Sequence, residues 1–430
     1  MNRNSIRLRG IVRKGFAARL GLAAALAGGM IAAGIALPAP AFAKEKEKKE
    51  EKEGNSKGFA EAYQPLADIV NAPAGDYAAA KAQLPTVIAA IENQTDRFAM
   101  GNLILALGNK SNDTGLQDQG IRMILDSGKA DPAMIGQMHY YLGRWAYEAK
   151  NFAEARAQFE QASAGGFAQG EPDALIADTY FGEDRDAEGL QYLAALIDKR
   201  RAAGQAVPNN WVLRGLKVAY DAELADQVNQ FAAMLVSNNP SKDNWVNALQ
   251  VVYAVNPLDT QAQLDLLRLM RTTGSLQQRR EYVDYIEAAD PRRMPNEVLA
   301  VLEVGKQAGI FSDSDAYYKE VKAQATPRAE ADRKEAQTLV AEARSAATGI
   351  TAQGVGDQFF SFGSYEQAAD MYQVALDKGV RDREMILTRL GIAQAGTGKV
   401  DEARATFRQI AGPREPIARM WLTYLDTPAG

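Results

Sequence analysis

Among 430 residues there is one histidine, His139, and no cysteine. Thiol nucleophiles, disulfides, iron–sulfur clusters and Cys/His zinc sites are removed together, leaving carboxylate chemistry or a borrowed cofactor. A lone histidine without a nearby Ser, Cys or acidic orienter makes no triad, so His139 reads as a packing residue against the next helical hairpin. Gly396-Thr397-Gly398-Lys399 has the outline of a phosphate loop. Ala393 stands where its first glycine is needed, Val400 where the Ser/Thr is needed, and a helix precedes it where a strand is required. It reads as a turn. Asp184-Arg185-Asp186-Ala187-Glu188-Gly189 opens like a calcium loop, but the twelfth position, which needs a bidentate acid, is Ala195. The acids are better placed as the start of a helix. Ser312 to Asp315 is likewise a helix N-terminus, capped by Ser312 or Asp313. Arg279-Arg280 and Arg292-Arg293 read as solvated helix faces before contacts to an acidic glycan or peptide. No catalytic constellation, metal site or cofactor site emerges, and the expectation is a protein that binds and does not catalyse.

The elements carrying these residues repeat. Leu142-Gly143, Ala155, Phe159 and Ala162 recur as Val355-Gly356, Ala368, Tyr372 and Ala375, and again as Leu390-Gly391, Ala403 and Phe407. The last two copies lie 35 residues apart, Leu107-Gly108 with Ile124 precedes the Leu142 copy by the same interval, and Trp211 and Trp245 are 34 apart. Such a period means stacked helical hairpins, each touching its neighbours, in an array that lengthens without enlarging one core. Met138, Tyr141, Leu142, Trp145 and Ala149 share one helical face, Asn151 breaks the run, and Phe152, Ala155, Phe159 and Ala162 restart it. Gly143 and Ala155 let the two helices approach, and Phe159 fills the space beside the crossing. No stretch sustains period-2 alternation, so no sheet is expected.

The pattern resembles the tetratricopeptide repeat family, best over 136–169, 349–382 and 384–417, with degenerate copies at Gly101–Ala133 and around Gly75–Leu84. It departs from that family where His139 takes the first-helix Trp position and Ala146 the Tyr position. The resemblance implies an all-α, right-handed superhelical solenoid of stacked helical hairpins whose first helices line a partner-binding groove. Between 170 and 325 the Leu-Gly pair becomes Arg214-Gly215 and Ala248-Leu249, and helices are expected at 209–220, 224–238, 243–254, 259–272, 275–289, 295–308 and from about 312. Residues 327–347, opened by Pro327, are expected to form an exposed helix joining two stacks. Carrying the family's groove positions onto the best copy gives Gln137, Tyr140, Arg144, Tyr147 and Glu148. Tyr and Arg supply much of the energy of interfaces, although either tyrosine could equally pack against a neighbouring hairpin. The family's clamp for a terminal carboxylate needs Lys and Asn where this chain has Tyr140 and Arg144, so tail capture is not implied.

Residues 1–43 carry six basic and no acidic side chains, and the remainder 43 basic against 54 acidic. An acidic body argues against a general nucleic-acid binder. The basic head, an uncharged stretch from Leu20 to Leu37, and Ala41-Phe42-Ala43 predict a signal peptide over 1–43, cleaved after Ala43. An uncleaved inner-membrane anchor is the alternative. Residues 44–58, opening with alternating Lys and Glu, are expected to be a disordered charged linker. Repeats follow over 59–325 and 326–430. Together these readings describe a periplasmic scaffold or adaptor whose partner is an envelope protein or peptide. The alternative is a glycan-binding component of a polysaccharide-export or cell-wall complex, for which stacked Tyr and Trp on one face would be expected.

Overall fold

The computed structural model describes residues 54–427, and all of their regular structure is helical. The expected signal peptide and residues 44–53 of the charged segment lie outside the described residues. The last part of that segment, 54–58, is already built into the fold. Ser56 donates its backbone N–H (2.9 Å) and its hydroxyl (2.7 Å) to the carboxylate of Asp96, and the first helix starts at Lys57.

Two compact units divide between Lys199 and Arg200. The first contains α1 (Lys57–Asn71), α2 (Tyr77–Ala89), α3 (Gln94–Ser111), α4 (Thr114–Asp126), α5 (Pro132–Glu148), α6 (Phe152–Ala164), α7 (Pro172–Gly182) and most of α8 (Asp186–Ala202). Side-chain caps open many of them: Asp76, Asn93, Asp113, Asp131 and Asn151 each accept a backbone N–H of the first turn. The helices pack on their neighbours in sequence, and the core is correspondingly divided. One cluster gathers Phe59, Leu66, Val70, Met100 and Ile104, a second Leu105, Ile121, Ile124 and Leu142, a third Ala155, Phe159 and Ile176. Each hairpin buries its apolar face against the next, as a quasi-one-dimensional array requires.

The second unit contains α9 (Asn209–Asp221), α10 (Ala225–Asn238), α11 (Lys242–Val255), α12 (Thr260–Thr272), α13 (Arg279–Ala289), α14 (Pro295–Gln307), α15 (Ala316–Ser345), α16 (Ile350–Ser361), α17 (Tyr365–Lys378), α18 (Arg383–Gly396), α19 (Val400–Phe407) and α20 (Glu415–Asp426). The hairpins read from sequence between 209 and 308 are present here. Residues 327–347 are not a helix of their own. Pro327 does not open that helix: α15 begins at Ala316, and Pro327 sits inside it on the exposed face. The opposite face buries Tyr318, Val321, Ala325, Ala329, Asp332, Ala336 and Ala343, an interrupted three-four spacing that lays α15 along α14 and α16. The cap of α15 is Asp315, accepting from the N–H groups of Tyr317 and Tyr318. Asp313, one of the expected caps, pairs with Lys306 instead.

One steric device recurs in both units. A Cβ added to Gly143 would lie 2.6 Å from the ring of Phe159, one on Gly356 2.8 Å from Tyr372, and one on Gly391 2.7 Å from Phe407. Gly215 and Phe231, in the stretch that departs from the repeat consensus, have the same relation at 2.1 Å. In each pair the aromatic follows the glycine by 16 residues. A first helix without a side chain at that point admits the ring of the second, and the pair closes the hairpin.

Candidate functional site

The five residues singled out by sequence all lie on α5, spaced so that they form one stripe. Their environments differ. The Tyr140 ring lies 5.1 Å from that of Phe167, 5.8 Å from Tyr141 and 6.2 Å from Phe159. Its hydroxyl crosses so close to Gly170 that a Cβ there would be 2.1 Å away, and Gly170 also has φ +75°. Tyr147 meets Phe152 edge-on at 5.3 Å. Both tyrosines are partly buried against the cluster of Ala155, Phe159 and Ile176, so both contribute to packing. Arg144 lies between them and pairs with Glu148 at 3.1 Å on the exposed side. Gln137 is partly exposed one turn earlier. The stripe is therefore a pair of ring anchors with a charged, solvent-facing centre.

The residues considered for chemistry are occupied otherwise. His139 Nδ1 lies 2.7 Å from Gln158 Oε1 on the second helix of its own hairpin. Gly396 to Lys399 is the turn between α18 and α19, with Gly398 at φ +77°. The acids around Asp184 converge on a cation: Arg185 pairs with both Glu183 and Glu188. Arg279 binds Asp315 at 2.6 Å and lies over the Phe311 ring, and Arg280 pairs with Asp284. Neither is simply solvated.

The second unit holds a buried charge cluster that the sequence reading missed. Arg268 grips both oxygens of Glu297, at 2.8 and 2.7 Å, and donates to Asp265 at 2.7 Å. Asp265 also accepts from Arg414 at 2.5 Å. Arg389, wholly buried, donates to Asp357 at 2.7 Å and to Gln261. Tyr285 completes Glu297 and Tyr372 completes Asp357, at 2.7 and 2.8 Å. Burial alone would raise the Glu297 carboxyl, but the Arg268 charge and the Arg268 and Tyr285 hydrogen bonds hold it below its ordinary value. Burial drives the Tyr285 and Tyr372 hydroxyls well above theirs, so both stay protonated donors. The signal was present in Leu264-Asp265-Leu266-Leu267-Arg268-Leu269-Met270, where two charges sit in an apolar run. Every residue of that run is buried, and a helix buried all round needs its charges paired.

Two cavities open in the same unit. One of about 420 Å³ is lined by Lys242, Arg271, Leu276, Tyr282 and Ile310 among others. The other, of about 200 Å³, is lined by Arg271, Asn296, Glu297, Arg333, Phe360 and Tyr365 among others. Among the described residues, no cluster of His, Asp and Glu has the arrangement of a metal site. In comparison with known proteins, no family model matches the chain, and no curated protein matches it closely enough to count as a relative. What stands is the class: an all-helical protein in which adjacent helices pack as in a repeat array.

Proposed function

We propose that this protein is a tetratricopeptide-like scaffold or adaptor of the cell envelope, its hairpins winding into a right-handed superhelix that binds a protein partner. The observation carrying this reading is the α5 stripe. Two aromatic side chains are held by packing, and a charged Arg144–Glu148 pair is offered to solvent between them. Rigid aromatic anchors beside an exposed arginine are the groups that make binding hot spots. The role is binding, with no cofactor, and the partner is an envelope protein or peptide, not nucleic acid.

The glycan reading draws no support from the tryptophans. Trp211, Trp245 and Trp421 are 4%, 5% and 2% exposed, so three of the four are core residues and not a stacking platform for sugar rings. Location follows from the basic head and the small-residue site: export to the periplasm, with cleavage after Ala43, and retention as an inner-membrane anchor as the alternative. N-terminal sequencing from an envelope fraction tests it, a first residue of Lys44 supporting export and an intact Met1 in the membrane fraction overturning cleavage. For binding, the mature protein is used as bait and retained proteins are identified by mass spectrometry. A partner bound by the parent and lost with Arg144→Ala supports the reading. Retention on polysaccharide with no specific protein overturns it.

A further inference from the structure

Not every arginine around the buried cluster of the second unit has a carboxylate at contact distance. Arg268, Arg389 and Arg414 are matched by Asp265, Glu297 and Asp357. Arg271, one turn beyond Arg268 on α12, is partly buried as well. Among the described residues no carboxylate lies within ion-pair distance of it. Burial works against its charge, and the neighbouring Tyr285, Glu297 and Tyr365 favour it, Tyr285 donating its own hydroxyl hydrogen bond to Glu297 at 2.7 Å. Glu297 also lines the 200 Å³ cavity, but Arg268 and Tyr285 already occupy its oxygens. A second cation faces the cavity without a carboxylate among the described residues. Arg333 donates to Asn296 Oδ1 at 2.7 Å and lies 5.9 Å from the Phe362 ring. The remaining wall carries three rings, Phe360, Phe362 and Tyr365, beside the small residues Ala300, Ser361 and Gly363.

Arg271 is half-buried and shares the Glu297 charge with Arg268, so an anion delivered from outside adds a counter-charge that the cavity has only in part. Guanidinium groups match a planar carboxylate with paired hydrogen bonds. A space of about 200 Å³ is smaller than a site for a whole cofactor or drug-sized ligand, and suits one side chain. We infer that this cavity, set between α12, α14, α15 and α16, is a recognition pocket for an acidic side chain of a bound peptide. Arg271 and Arg333 clasp the carboxylate, and a neighbouring apolar residue of the peptide lies on the rings. This rests on the reading that the partner is a protein, and it adds a second contact point with its own chemistry.

The test is calorimetric titration of the full chain with N-acetyl-glutamyl-phenylalanine amide and with its glutaminyl counterpart. The glutamyl peptide is expected to bind roughly tenfold more tightly, the scale of losing one charge-assisted contact. Arg271→Gln and Arg333→Gln should each remove about that factor. Arg328→Gln, whose charge is already paired with Asp332 on the same helix, should leave affinity unchanged. Should Arg271→Gln lower the melting temperature, the exposed Arg333 decides the matter. Equal affinity for the two peptides, or parent affinity in a stable Arg333→Gln protein, overturns the pocket. Tighter binding of glucuronate or inorganic phosphate than of the peptide overturns its assignment to a peptide carboxylate. A partner found by affinity capture that binds the Arg271→Gln/Arg333→Gln double variant as well as the parent refutes this site and leaves the scaffold reading standing. Absence of any specific partner refutes that reading instead.

Discussion

Asp96 and Asp265 are both wholly buried carboxylates, and what each is bonded to separates the two units of this molecule. Asp96, in the first turn of α3, is satisfied by neutral donors: the Ser56 hydroxyl and the backbone N–H groups of Ser56 and Glu92. Asp265 is satisfied by arginines, two of which come from positions 124 and 149 further along the chain. The first unit is built from contacts between adjacent or next-adjacent helices. The second is stitched by contacts between helices further apart: α12 meets α18 and α20, α10 meets α20, and Trp245 lies 6.1 Å from Tyr424. A repeat array needs only nearest-neighbour packing. The second unit folds its last helices back onto its middle ones and places ions where they meet. Long-range closure of this kind slows folding relative to local packing, and it makes the unit's stability depend on a handful of charges.

The comparison breaks most visibly if those charges are removed. Asp265→Ala leaves Arg268 short of one partner and Arg414 without its 2.5 Å contact, and should cost about 3–5 kcal/mol as an uncompensated buried charge. Hydrogen exchange should show the loss in α12, α18 and α20, with protection in α1 to α7 unchanged. Parent-like exchange in α18 and α20 would mean that the ions do not hold the closure. The matching lesion in the first unit is Phe159→Ala, also expected at roughly 3–5 kcal/mol because the ring fills the hairpin crossing. Gly143→Leu attacks the same crossing from the other side and should cost about 1–3 kcal/mol by overpacking. Both effects should appear first in α5 and α6. Melting curves matching the parent for both variants would remove the packing role assigned to the Gly143–Phe159 pair.

Hairpins were legible from sequence because helical periodicity and the glycine–aromatic pair are local, and local signals survive reading one residue after another. The turn at Gly398 was legible for the same reason. Closure of the second unit was not, since nothing within 20 residues of Asp265 announces Arg389 or Arg414. The only trace was two charges in the apolar run from Leu264 to Met270. The α5 stripe was half legible. Its helical register follows from spacing, but whether Tyr140 faces outward depends on Phe167 and Gly170, which lie beyond the hairpin and approach through a loop.

Acid sharpens the contrast between the units. Glu297 has a folded value below its ordinary 4.5, so it contributes stability that is full above that value and is lost as the pH falls through the lowered one. Asp96 is also lowered: burial opposes, and the Ser56 hydroxyl and surrounding backbone N–H groups prevail. Its contribution likewise fades on acidification. Glu297→Gln should therefore flatten the acid limb of stability in α12 and α14 alone, and Asp96→Asn that of α1 and α3 alone. Exchange measured from about pH 6 to about pH 3 separates them. An acid limb that flattened everywhere in either variant would contradict the separate origins argued for the two carboxylates.

The smallest expected effect lies in the α5 stripe, where it decides how the binding proposal can be tested. Arg144 is 43% exposed and its partner Glu148 59% exposed. An exposed pair one turn apart on a helix contributes about 0.3–0.5 kcal/mol, and salt screens it further. Arg144→Ala should therefore leave the melting temperature within about a degree or two of the parent. Tyr140→Ala is different in kind. It removes a ring packed on Phe167, Tyr141 and Phe159, and should destabilise α5 by a core-like amount, about 2 kcal/mol or more. Loss of partner binding in Tyr140→Ala would then mix contact with unfolding, while loss in Arg144→Ala could come only from the surface it presents. Tyr140→Phe keeps the ring and removes the hydroxyl, and completes the set. If Arg144→Ala melted several degrees below the parent, Arg144 would belong to the packing of the hairpin, and the stripe would have no exposed centre for a partner to meet.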